Sequence, residues 1–131
     1  MPMYNIGFSE KLIEASCLII REGKASSDTR RTVLYLSLLS CEITLKALLE
    51  KAGMDINTIK KRSHKLHDLL IDLGRCKILM EIGNTKRWVS ANRLRSKVVD
   101  KRYANATVGA LLDLSMAKSK SLSSYPNEIR Y

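Results

Sequence analysis

Between Lys86 and Arg102 the chain sets seven cations, Lys86, Arg87, Arg93, Arg95, Lys97, Lys101 and Arg102, against the single acid Asp100. Fixed positive charge at this density can neutralise phosphates and release their counterions, so the chemistry on offer is capture of a polyanion. Trp88 and Tyr103 flank the cluster. An aromatic ring beside cations can stack on an unpaired base, as single-strand binders do. The opposing reading is a solvated charged surface with Trp88 turned into the core. If the segment is helical, Lys86, Arg93 and Lys97 share one face.

The excess is regional. From Lys60 to Arg102 there are 13 Lys or Arg against 4 Asp or Glu, a net of +9 out of +10 for the whole chain. That asymmetry points to nucleic acid or an acidic protein surface as partner. Elsewhere the residues offer little chemistry. The acids form no defensible catalytic pair, and there is no phosphate-binding glycine loop, no Ser-His-Asp set and no cluster of metal ligands. Cys17, Cys41 and Cys76 are odd in number and lack Cys-x-x-Cys spacing, which argues against a disulfide framework or a zinc site. No cofactor is expected. Cys17 and Cys41 lie in apolar helical patterns and read as small buried hydrophobes. Glu42 and Lys46 form an i,i+4 pair that could line a groove but reads first as exposed helix decoration.

The elements that must carry these residues follow from periodicity. The chain of 131 residues is the size of one domain. Its two prolines lie near its ends, at Pro2 and Pro126, which leaves room for long helices. A first helix is predicted from about Ser9 to Gly23, with Phe8, Leu12, Ile13, Cys17 and Ile20 as its apolar stripe. A second, capped by Asp28, runs to about Lys51. Leu34, Leu38, Cys41, Leu45 and Leu48 mark one of its faces. Ser37, Ser40, Thr44 and Ala47 mark another, small enough for a neighbouring helix to approach closely. A short turn capped by Asp55 leads to a third helix over about His64–Leu73, striped by Leu66, Leu69, Leu70 and Leu73. Residues 76–82 read as its continuation. A fourth helix over about 85–100 carries the cations, and a fifth spans about 107–118. With no strand expected, the fold class is all-α, an antiparallel bundle of four or five helices over residues 1–118 with an extended tail over 119–131. No signal peptide is visible, and the apolar run Val33–Leu49 contains Glu42 and Lys46, which argues against a membrane span. A reducing cytoplasm suits the unpaired cysteines.

The order of features resembles the HEPN-domain superfamily of prokaryotic helical proteins. The likeness is carried by Ser40-Cys41-Glu42-Ile43-Thr44-Leu45-Lys46-Ala47-Leu48-Leu49-Glu50-Lys51-Ala52-Gly53, then by Ser63-His64-Lys65-Leu66-His67-Asp68-Leu69-Leu70, and by the closing Ile129-Arg130-Tyr131. It covers mainly residues 30–73. The resemblance implies a helical bundle, frequently dimeric. The roles it implies are metal-independent ribonucleases of toxin and antiviral systems, RNA- or nucleotide-binding modules, and partners of nucleotidyltransferases. It also implies a candidate catalytic pair, Arg62 and His67, at the Arg-to-His separation of the family's ribonucleases. There the His would act as acid or base and the Arg would stabilise the transferring phosphoryl group. The pair departs from the family in preceding the third helix rather than lying on a late one. The plainer reading is that His64 and His67 pack or cap the helix start.

Three functions stay open. The leading one is a non-enzymatic module that binds nucleic acid, RNA before DNA, or a ribonucleoprotein through the basic second half, in a defence or toxin–antitoxin setting. A second is an inhibitory or antitoxin-like module meeting an acidic protein surface. The third is a ribonuclease using Arg62 and His67.

Overall fold

A computed structural model describes residues 2–23 and 26–93. It contains helices α1 (Ile6–Glu22), α2 (Ser27–Lys51), α3 (Ile56–Lys61) and α4 (Leu66–Gly74), then strands β1 (Lys77–Ile82) and β2 (Thr85–Ser90), and a closing 3-10 turn, Ala91–Arg93. The fold is therefore mixed, and the all-α expectation is corrected. Where a helical continuation and a cation-bearing fourth helix were expected, the chain forms an antiparallel hairpin. The expected fifth helix, the tail and Arg130-Tyr131 lie outside the described residues.

Helices α1, α2 and α3 start where short polar side chains cap them. The Asn5 side chain accepts from the Phe8 amide, that of Ser26 from the Thr29 amide, and that of Asp55 from the Asn57 and Thr58 amides. The core lies where α2, α3 and α4 meet the hairpin. Leu45 and Leu49 come from α2, Ile59 from α3, Leu66, Leu69, Leu70 and Leu73 from α4, and Ile78 from β1. All four positions of the α4 stripe are buried, as expected.

The stripe on α1 is corrected. Phe8, Ile13, Cys17 and Ile20 are exposed, and the buried positions are Ser9 and Ser16. The reason is the contact itself. The α1 face meets the small-residue face of α2, where the Ser40 hydroxyl donates to the Ser9 carbonyl (2.8 Å) and the Thr44 hydroxyl donates to the Ser9 hydroxyl (3.0 Å). Close approach of two helices through hydroxyls leaves no space for large side chains between them.

The segment before α1 is tied down by one residue. The Glu50 carboxylate accepts from the backbone amides of Met3 (2.9 Å) and Tyr4 (3.1 Å). Those two bonds hold its carboxyl below the usual glutamate range. A depressed folded value means that the anchor is complete above the unfolded value of about 4.3 and is lost as pH falls through the folded one. Amide protection factors at Met3 and Tyr4 should therefore hold from neutrality down to the ordinary glutamate range and collapse below it. In Glu50→Ala they should be low at every pH. Protection indifferent to both changes would contradict the anchor.

The hairpin has a local cause. Gly83 and Asn84 form a two-residue connection in which Gly83 adopts φ +64°, the left-handed region that glycine enters without steric cost. Glycine at the first central position of a two-residue loop is a hairpin signature. The residues on either side, Ile78, Ile82, Thr85, Trp88 and Val89, are β-branched or aromatic and favour strands. At the base of the hairpin the Ala91 amide donates to the Cys76 carbonyl (3.0 Å), and Ala91 itself is buried against the core.

Candidate functional site

The strand register sorts the hairpin into two faces. Lys77 pairs with Ser90, Leu79 with Trp88 and Glu81 with Lys86, and these six side chains share one face. Ile78, Met80, Ile82, Thr85, Arg87 and Val89 share the other. Burial identifies the second as the inner face, because Ile78 is buried and Met80 packs on the core. The first is the outer face. Trp88 stands on it 63% exposed, so the reading that placed this ring in the core is overturned. The core is filled by leucines and isoleucines from the helices, and the alternation of the strand turns Trp88 away from them.

Of the seven cations singled out, Lys86 and Arg87 lie on β2 and Arg93 on the 3-10 turn, all three exposed. Arg95, Lys97, Lys101 and Arg102, with Tyr103, lie outside the described residues. The helical face proposed for Lys86, Arg93 and Lys97 does not exist, because Lys86 is on a strand and projects from the face opposite to that of Arg87. The hairpin instead brings in Lys77, which periodicity had left unassigned. Its place beside Trp88 was readable only from the Gly83-Asn84 turn, which fixes the register. Among the described residues neither Lys86 nor Arg87 forms a salt bridge.

Of the candidate pair Arg62 and His67, Arg62 is engaged in an ion pair with Asp72. Arg62 Nε lies 2.6 Å from Asp72 Oδ2, and a second guanidinium nitrogen lies 3.1 Å from Oδ1. This two-point pair clamps the α3–α4 connector to α4. The connector is tight enough to place Ser63 at φ +50°. His67 is half-buried on the first turn of α4.

The largest departure from the sequence reading is at Glu42 and Lys46. Far from decorating an exposed surface, they are buried, at 5% and 8% exposure. Lys46 Nζ lies 3.4 Å from Glu42 Oε2, and His64 Nδ1 lies 2.6 Å from Glu42 Oε1. The Tyr4 ring sits 5.6 Å from the Lys46 ammonium, within cation–π reach. The Glu42–Lys46 pair thus joins α2 to the connector before α4 through His64 and to the N-terminal segment through Tyr4. The signal for it was two opposite charges one turn apart inside the run Val33–Leu49, since charges in a buried stripe survive by pairing. Helix α2 is long and apolar enough to cross a membrane by length and composition, a test that the core helix of a soluble protein also passes. Here it packs along α1, α3 and α4. Among the described residues no group of His, Cys, Asp and Glu could hold a metal ion.

No family model matches the chain, and no curated protein or solved structure matches it.

Proposed function

We propose that this protein is a non-enzymatic nucleic-acid-binding module of the cytoplasm, RNA being its preferred partner, and that the basic region opening with the hairpin is its binding surface. The observation that carries the reading is the exposed Trp88 on a strand that also bears Lys86 and Arg87, both exposed and, among the described residues, outside any salt bridge. A solvated charge face has no use for an exposed indole, whereas nucleic acid uses both groups. The regional net charge of +9 supports the same partner. Binding without cleavage is supported by the engagement of Arg62 with Asp72, which gives that guanidinium a structural task. The likeness of residues 40–53 and 63–70 to HEPN helices belongs to this proposal, and within it those two segments are the scaffold, joined by Glu42 and His64.

The test is charge reversal. Lys86→Glu and Arg87→Glu together should weaken binding of a fluorescently labelled RNA by ten-fold or more at low salt and leave the melting temperature nearly unchanged, because both side chains are exposed. Unaltered RNA affinity in the double variant, or high-affinity binding to an acidic protein surface with none to RNA, would overturn the reading.

A further inference from the structure

Resting on the nucleic-acid reading, we infer that the outer face of the hairpin is a stacking platform for unpaired bases, with Trp88 under the base and Lys77 and Lys86 on the phosphates to either side. The geometry is that of three cross-strand rows. The middle row is Leu79 with Trp88, bounded on one side by Lys77 with Ser90 and on the other by Glu81 with Lys86. Directly opposed side chains on a sheet face stand about 5 Å apart. Leu79 therefore braces one edge of the indole and the other groups leave its face open, in keeping with its 63% exposure.

The platform selects single strands for a physical reason. In a duplex both faces of each base are covered by its neighbours, and an indole carried on a flat strand meets only the phosphate ridge. In a single strand the base can turn out and cover the ring, a contact indifferent to sequence because every base has a π-face. Successive same-face positions on a strand are about 7 Å apart. One lysine therefore flanks the ring on each side, along the two directions in which a strand running over Trp88 must leave it. Glu81 opposes Lys86 across the hairpin without forming a salt bridge with it among the described residues.

Trp88 is the sole tryptophan of the chain, so its emission reports this surface alone. The experiment titrates the full chain with a single strand of about ten nucleotides, as RNA and as DNA, and with the same sequence annealed to its complement. Tryptophan emission is followed together with the anisotropy of a label on the nucleic acid. Single strands should quench Trp88 and bind at least ten-fold more tightly than the duplex. Trp88→Phe should keep most of that preference. Trp88→Thr, chosen because threonine preserves strand propensity, should abolish it while leaving duplex affinity as it was. If anisotropy shows single strand and duplex bound alike with emission unchanged, the platform is wrong and the nucleic-acid reading stands. If neither is bound, both fall together.

Discussion

Replacing Glu42 with alanine should destabilise the protein by about 3–5 kcal/mol, the cost of breaking a buried ion pair from one side. Glu42 and Lys46 are both buried, and removing the carboxylate leaves the Lys46 ammonium with the Tyr4 ring 5.6 Å away and no carboxylate in its former place. His64 is less affected, because its ring is 44% exposed and can be solvated. The loss should therefore track Lys46. A double variant, Glu42→Leu with Lys46→Leu, removes both charges together and should recover much of the stability, since apolar replacement of a whole buried pair is often neutral. Chemical denaturation of the two variants decides it. A single variant as stable as wild type, or a double variant worse than the single, would show that the pair contributes nothing to holding α2 in place.

The second large effect is expected at Leu49. Its side chain is fully buried, at 0% exposure, in the cluster where α2, α3, α4 and β1 converge. Leu49→Ala should cost about 2–5 kcal/mol, combining lost transfer free energy with the cavity left behind. Against a total stability of about 5–15 kcal/mol for a domain, that lowers the melting temperature by about 10 °C or more. Phe8→Ala is the contrast. It is equally apolar, yet 53% exposed on the outer side of α1, so its loss should be small. Equal losses at the two sites would mean that the outer face of α1 is packed against something and that the core has been drawn in the wrong place.

These contrasts show what could be read from the chain. The helical segments were legible because their signals are local. Asp55 caps α3, and the leucines of α4 repeat at helical spacing with nothing to compete. The small-residue face of α2 was legible as well, and it does receive α1. What periodicity could not give is which side of a helix faces a neighbour. Phe8, Ile13 and Ile20 form the more apolar stripe of α1, but the hydroxyls of Ser40 and Thr44 lie across from it and select the serines instead. Glu42 and Lys46 were misjudged for a related reason. An i,i+4 pair looks the same in sequence whether the helix is exposed or buried, and only His64, 22 residues away, reveals the burial. The hairpin failed differently. Trp88 and Val89 also fit a helical period with residues beyond them, and the signal that marks strands instead is the short Gly83-Asn84 dipeptide between them. A helical reading leaves the side of Trp88 open and gives Lys77 no place beside it, and only the strand register settles both.

The claim most in need of measurement is that the basic hairpin binds RNA through its phosphates. The direct test is the salt dependence of the association constant for a single-stranded RNA, compared between wild type and a Lys77→Glu, Lys86→Glu double variant, both positions on the face of Trp88. Each phosphate neutralised adds a fixed amount to the slope of log K against log salt. The wild-type plot should be linear and steep, and the double variant should be shallower by about 1–2 as two phosphate contacts are lost. Parallel plots for the two proteins, or an affinity that ignores salt, would contradict the account.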